Sequence, residues 1–208
     1  KLNLDKMMKN KEKAVEILTK GIEFLFKKNK VTYFKGTGAF KSANEISILS
    51  EGKETTILSD KTIISTGSEP TSIPGIEFDE EKIISSTGAL SLSKLPKKMV
   101  VVGGGYIGLE MGSVWSRLGT QVEVIEFLDH ITPGMDREVS SEFEKILKKQ
   151  GIKFQLNTKV EKITKSKNFV SINTADKEKN KNKIEADVVL ISVGRKPHTK
   201  GLNLNNVG

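Results

Sequence analysis

Gly103-Gly104-Gly105-Tyr106-Ile107-Gly108 matches G-x-G-x-x-G, and no other stretch limits the possible folds of this chain as strongly. Met99-Val100-Val101-Val102 precedes it, a continuous apolar run that reads as a strand buried on both faces. Ile107, Met111, Val114 and Leu118 follow at helical spacing, with Gly119 placed as a C′ residue. A strand that turns through glycines into a helix is the context a dinucleotide fingerprint requires. Gly103 permits the tight turn, Gly105 lets a pyrophosphate approach the backbone, and Gly108 lets helix and strand pack closely. The helix N-terminus then presents unpaired N–H groups and a positive dipole end to the phosphates.

The second half of the chain continues the alternation. Val122-Glu123-Val124-Ile125 reads as a strand, and Asp136 as the N-cap of a helix carrying Val139, Phe143, Ile146 and Leu147 on one face, stopped at Gly151. Lys153 to Leu156 and Val188 to Ile191 are further strands, separated by a polar hairpin over 176–183. This β-α-β-α-β order predicts an α/β fold with a Rossmann-like parallel sheet. Glu126 follows the second strand, 18 residues after Gly108. A carboxylate there accepts hydrogen bonds from ribose hydroxyls and repels a 2′-phosphate, which favours NAD over NADP.

The first third has a different texture. Asp5 to Lys28 reads as a helix, with Ala14, Ile17, Leu18, Gly21, Ile22 and Leu25 on one face. Short strand candidates follow at Val31–Phe34, Ile46–Leu49, Thr55–Leu58 and Thr62–Ser65. Pro70, Pro74 and Gly75 break regular structure and mark a boundary near residues 70–76.

Composition removes several function classes. The 208 residues include no cysteine, which excludes disulfides and thiol catalysis within the chain, and two histidines too isolated to suggest a metal site. There is no apolar run of membrane-spanning length, and the charged N-terminal stretch lacks the apolar core of a signal peptide. The net charge of +8 raises nucleic-acid binding, but the basic residues are scattered and nearly all lysine, the pattern of a solvated surface. The four lysines of 177–183, mixed with Asp176 and Glu178, read the same way, as a solvated hairpin tip.

The stretch 103–119, Gly-Gly-Gly-Tyr-Ile-Gly-Leu-Glu-Met-Gly-Ser-Val-Trp-Ser-Arg-Leu-Gly, followed by Val-Ile-Glu-Phe at 124–127, resembles the dihydrolipoamide dehydrogenases. These are flavoproteins of the pyridine nucleotide–disulfide oxidoreductase class. Ile64-Ser65-Thr66-Gly67-Ser68-Glu69-Pro70 is similar to the A-T-G-S segment that ends the family's flavin domain, with Ser65 in place of Ala. Ser85 to Leu90, Asn157 to Val160 and Val193-Gly194-Arg195-Lys196-Pro197 are similar to further family segments.

The resemblance implies an NAD site at Gly103, Gly104, Gly105, Tyr106, Ile107, Gly108, Leu109, Glu110, Glu126, Val160 and Gly194. Within it Glu110 would lie beside the nicotinamide, in the first helical turn, and Tyr106 would cover that pocket, as a tyrosine does in the related glutathione reductases. Gly38, Thr66, Gly67 and Ser68 would approach FAD. The implied domains are an incomplete FAD-binding segment of helix plus β-meander over 1–71, an NAD-binding domain over 72–197, and the start of a following segment over 198–208. The family's redox disulfide, first fingerprint and C-terminal His–Glu pair are not in these residues, so the expectation is an internal fragment with no catalytic residue of its own, inactive alone. The parent would oxidise dihydrolipoamide on the lipoyl-bearing acyl carrier proteins of a 2-oxo acid dehydrogenase or glycine cleavage complex, using FAD and NAD, as a homodimer in the bacterial cytoplasm or mitochondrial matrix. Two other readings stay open: another disulfide reductase or NADH oxidase on the same scaffold, and a non-catalytic NAD-binding module.

Overall fold

The computed structural model describes residues 2–208, which divide into two compact units. One comprises Pro70–Lys196, to which residues 2–6 are also assigned; the other comprises Met7–Glu69 with Pro197–Gly208. The strands β4 (Ser68–Pro70) and β13 (Arg195–Pro197) lie where the chain passes from one unit to the other.

The smaller unit opens with helix α1 (Leu4–Lys28), none of whose residues is buried. Three antiparallel strands follow in sequential order: β1 (Thr37–Ser42), β2 (Glu45–Ser50) and β3 (Lys53–Leu58). The C-terminal segment is tied to β1: the Phe40 N–H donates to Leu202 O at 2.9 Å and Asn206 Nδ2 donates to Phe40 O at 2.8 Å. Two expected strands are absent. Residues 31–34 and 62–65 carry strand-forming residues but pair with no neighbouring ladder, and a β-segment without cross-strand partners has nothing to hold it extended. The strand at 37–42 carries no β-branched residue after Thr37, and Gly38 weakens its signal further, yet register with β2 secures it.

The larger unit is built on a five-stranded parallel sheet of order β5-β12-β6-β7-β8. Its strands are β5 (Ile83–Ile84), β6 (Lys98–Val102), β7 (Gln121–Ile125), β8 (Lys153–Gln155) and β12 (Val188–Ile191). A short turn of helix, α2 (Ser86–Ala89), and helices α3 (Tyr106–Arg117) and α4 (Arg137–Lys149) connect them. A second, antiparallel sheet is made of β9 (Thr158–Lys165), β10 (Val170–Asp176) and β11 (Lys181–Ala186).

Alternation along β6 explains the layers. Val100 and Val102 pack with Val170, Ile172 and Ile184 of the antiparallel sheet. Val101, pointing the other way, faces Gly108 and Gly112 of α3. Met99 to Val102 are all buried, as a strand covered on both faces demands.

The buried face of α3 lies one residue away from the expected one, and that of α4 matches the expected one only at Leu147. On α3 the buried positions are Gly108, Leu109, Gly112 and Trp115, while Val114 is exposed. Apolar periodicity does not count glycine, but the smallest side chains allow the closest approach and so mark the packed face. On α4 the buried residues are Ser140 and Leu147, and Val139, Phe143 and Ile146 are exposed. Ser140 is drawn inward by a 2.7 Å hydroxyl–hydroxyl bond with Thr132. Asp136 caps α4 as expected, accepting the N–H groups of Glu138 and Val139 at 2.8 and 3.2 Å.

Asp79 organises the turn into the edge strand β5. Its Oδ1 accepts the N–H groups of Glu81, Lys82 and Ile83 at 2.8–2.9 Å, and its Oδ2 accepts Lys165 Nζ at 2.6 Å. Desolvation pushes this carboxyl upward, but Lys165 and the three N–H donors together hold it well below the ordinary carboxylate range. The folded state therefore prefers the ionised form, and this stabilisation is complete above the unfolded pKa of about 3.9 and is lost as pH falls further. Asp79→Ala is expected to cost about 1–3 kcal/mol at neutral pH. In urea titrations the gap between the two proteins should close as pH drops from about 5 toward 2; a gap independent of pH would contradict it.

Candidate functional site

The glycine turn between β6 and α3 is fixed by the chain around it. Gly103 has φ +106°, a conformation that L side chains rarely adopt, and a Cβ there would meet Ser192 O at 2.5 Å. A Cβ on Gly108 would lie 2.5 Å from both Gly103 O and Ser192 Oγ and 2.8 Å from Val101 Cγ1. Gly105 differs. Its φ of −75° suits any residue, and a Cβ built on it meets nothing within 4 Å. The fold therefore requires glycine at 103 and 108 but not at 105.

Gly105 is also the N-cap of α3, with no side chain to accept a hydrogen bond from the first turn. The first intrahelical bond runs from the Leu109 N–H to Gly105 O at 3.1 Å. The N–H groups ahead of it have no intrahelical acceptor and form, with the helix dipole, a place suited to an anion.

Glu126 leaves the end of β7 and turns back to this loop. Only 7% of it is exposed, and both carboxylate oxygens are engaged. Oε2 accepts the Gly104 N–H at 2.6 Å and Oε1 accepts the Leu128 N–H at 2.8 Å. These charge-assisted bonds offset the cost of burying the carboxylate. They also hold it in one orientation, with lone pairs left for hydroxyl donors. The opposite side of the turn is braced by Thr132, whose N–H donates to Gly104 O at 2.8 Å, and by Ser192, whose Oγ donates to Val102 O at 3.1 Å.

These elements border a cavity of about 730 Å³. Gly103, Gly105, Tyr106, Ile107, Glu126, Val160 and Gly194 all line it, so seven of the residues singled out in the sequence converge on one place. Gly104, Gly108 and Leu109 do not line it; Gly104 serves as the donor to Glu126, and the other two pack α3 on the sheet. Glu110 is exposed, outside the lining, and is the fifth residue of α3, one turn further along than expected. Tyr106 is 66% exposed at the cavity edge. Phe127 and Lys159, which lie in the family-like segments 124–127 and 157–160 without being singled out there, also line it, and Leu128 and Ser192, which carry no motif, become visible only through the fold.

The cavity fits a dinucleotide. Its volume lies within the range of small-molecule sites, its walls are largely apolar, and its polar groups include the uncapped helix end, Glu126, Thr158, Ser192, Lys159 and Arg195. Space at Gly105 that no side chain fills lies against that helix end.

Gly38, Thr66, Gly67 and Ser68 belong to the other unit. Gly38 pairs with Ile48 in the β1–β2 ladder. Thr66 Oγ1 donates to His198 O at 2.6 Å and the His198 N–H donates to Gly67 O at 3.0 Å. Gly67, at φ +76°, makes the turn into Ser68. Among the described residues no group of His, Cys, Asp and Glu is arranged to hold a metal ion.

Residues 2–208 match the family model described as pyridine nucleotide-disulphide oxidoreductase. The whole chain is 56% identical to 42% of a dihydrolipoamide dehydrogenase from Chaetomium thermophilum. It is likewise 53% identical to 42% of the mitochondrial dihydrolipoyl dehydrogenase of Pisum sativum. The chain thus spans about two fifths of the length of these relatives. Among solved structures, the flavoprotein disulfide reductase RclA from Escherichia coli superposes over 97% of this chain and 45% of its own, with TM-score 0.80 and 28% identity. LpdA from Mycobacterium tuberculosis shares the fold over 100% of this chain and 46% of its own, with TM-score 0.89 and 22% identity.

The contrast between glycines makes a sharp test. Gly105→Val should leave the urea midpoint nearly unchanged and abolish NAD binding, since only the ligand needs that space. Gly108→Val should lower the midpoint, with a loss of about 2 kcal/mol or more of unfolding free energy, through forced separation of α3 from β6. Retained NAD affinity in a folded Gly105→Val chain would dissociate the glycine turn from nucleotide binding.

Proposed function

Because the chain belongs to the pyridine nucleotide-disulphide oxidoreductase family, we propose that its Pro70–Lys196 unit is the NAD-binding domain of a dihydrolipoamide dehydrogenase. The observation that carries this reading is the convergence of Gly103, Gly105, Glu126, Val160 and Gly194 on one cavity at an uncapped helix end. In the proposed arrangement the N–H groups at the start of α3 take the pyrophosphate, with Gly105 giving it access. Glu126, held by Gly104 and Leu128, accepts the hydroxyls of the adenosine ribose. Val160 flanks the adenine, Gly194 the nicotinamide, and Tyr106 closes the nicotinamide end. Acceptance of a hydride is the chemistry that the nicotinamide supplies when bound. The protein's part is to bind, orient and shield it.

The smaller unit is proposed as part of the FAD-binding domain, with Gly38 and the Thr66–Ser68 turn near the flavin nucleotide. The whole enzyme would pass electrons from protein-bound dihydrolipoamide through a disulfide and FAD to NAD⁺, in a 2-oxo acid dehydrogenase or glycine cleavage complex. Relatives from a plant mitochondrion and from Pseudomonas putida support a mitochondrial matrix or bacterial cytoplasmic setting. A lipoyl-bearing partner and a homodimer complete the proposal. The higher identity to dihydrolipoamide dehydrogenases than to RclA, 56% against 28%, favours this reading over a different disulfide reductase.

Two measurements test it. Calorimetric titration should show NAD binding at least about tenfold tighter than NADP, because a 2′-phosphate would meet the buried carboxylate of Glu126; equal or tighter NADP binding would overturn the assignment of Glu126. Separately, the 208-residue chain should bind NAD yet form no NADH from dihydrolipoamide, even with FAD added. Dithiol oxidation proceeds through thiol–disulfide exchange, and these residues include no cysteine. Lipoamide turnover by this chain would refute the proposed division of labour.

A further inference from the structure

A second cavity of about 690 Å³ opens on the same unit and shares Phe127, Leu128 and Lys159 with the first. Its floor follows from strand register. Ala175 of β10 lies directly opposite Lys159 of β9 on one side and Lys181 of β11 on the other. Directly opposed residues point to the same face of a sheet, so a small alanine between two lysines leaves a hollow bordered by ammonium groups. The neighbouring pair, Val160 and Thr174, is buried on the opposite face. Lys177 and Lys179 enter the lining from the hairpin tip.

The charge balance of the hollow is more positive than its composition suggests. Asp129 also lines it, but both its oxygens are taken by Arg137 at 3.0 and 2.9 Å, with His130 Nδ1 at 2.7 Å. Asp176 is consumed by its own turn, accepting the N–H groups of Glu178 and Asn180 and the Asn180 amide, each at 2.9 Å. Glu161 is the remaining carboxylate of the lining. Against it stand Lys159, Lys177, Lys179 and Lys181, none of which makes an ion pair among the described residues.

One further group separates this hollow from a plain basic patch. Asn157 lines it, and its Oδ1 is a buried acceptor with no hydrogen-bond donor. A buried acceptor left without a donor is costly, and a bare anion cannot relieve it, because phosphate oxygens are themselves acceptors. An occupant that brings a hydrogen-bond donor relieves it. The exposed ring of Phe127, with Leu128 and Ala175, offers an apolar surface for a flat ring.

We propose that this cavity is a second nucleotide site, which takes a purine nucleoside phosphate whose base carries an exocyclic amine. The amine donates to Asn157 Oδ1, the ring lies against Phe127, and the phosphates meet Lys177, Lys179 and Lys181. The site goes beyond the dinucleotide role of the first cavity, and the wall common to both places the two ligands as neighbours.

The test is calorimetric titration of ADP into the chain already saturated with NAD, so that ADP cannot report on the first cavity. One ADP per chain should bind. Inosine diphosphate, in which a carbonyl replaces the amine, should bind at least about fivefold more weakly, and pyrophosphate weaker still. Lys177→Glu with Lys181→Glu should weaken ADP at least about tenfold while NAD affinity, which shows that the variant is folded, stays unchanged. Asn157→Gly, which keeps the left-handed backbone at φ +53° accessible, should erase the preference for ADP over inosine diphosphate. Absence of ADP binding to the NAD-saturated chain overturns the proposal, as do pyrophosphate binding as tightly as ADP and indifference of ADP to the lysine substitutions.

Discussion

The approach of α3 to the end of β6, with no space for a side chain between them, governs the larger unit. Gly108 and Gly103 face each other and Ser192 so closely that a methyl group on either would overlap backbone atoms. That contact sets the helix end against the carboxyl end of the strand and aims its N–H groups outward. Leu109, Gly112 and Trp115 then extend the same face along the sheet, and Trp115 Nε1 is satisfied by Ala89 O at 3.2 Å. A close-packed interior relaxes only partly around added volume, so the geometry of the helix end is inherited from the core.

Electrostatics is layered on that packing. A carboxylate only 7% exposed would be costly if left alone. Glu126 meets this by accepting two backbone donors, from Gly104 on one side and Leu128 on the other. The same bonds stitch the end of β7 to the glycine turn. In the proposed site, the residue that would select the ligand thus also stabilises the loop that would receive it, which is preorganisation. Gly104, which the resemblance implies in the cofactor site, donates to Glu126 and stands outside the cavity lining.

Much of this was legible in the sequence. The parallel strands β6 and β12 announce themselves as continuous apolar runs, and the caps at Asp136 and Gly119 are local chemistry. Helix faces were harder, because the α3 contact is made by glycines and the α4 contact by a serine, residues that apolar periodicity passes over. Strand candidates at 31–34 and 62–65 failed because propensity does not supply a partner, while β1, with little propensity, had one. Ser192 joined the site without any motif, since it follows β12, a strand far along the chain that only the sheet order sets beside β6.

The lysines illustrate how sequence proximity and spatial proximity differ. Along the chain, Lys177 to Lys183 alternate with acidic and amide residues, and a solvated tip is the natural reading. Folding separates the signs. Asp176 is drawn into the turn it stabilises, and Lys183 pairs with Glu185 at 3.0 Å. Pleating then sends Lys181 to the face that Lys159 occupies two strands away. A run of nearly balanced charge therefore becomes a concentrated cationic border around a small alanine. The hollow adjoins the first cavity across a wall of Phe127, Leu128 and Lys159. Which lysines of the hairpin remain unbalanced is thus decided by the carboxylates that the fold has already used, Asp176 in its own turn and Glu185 on Lys183.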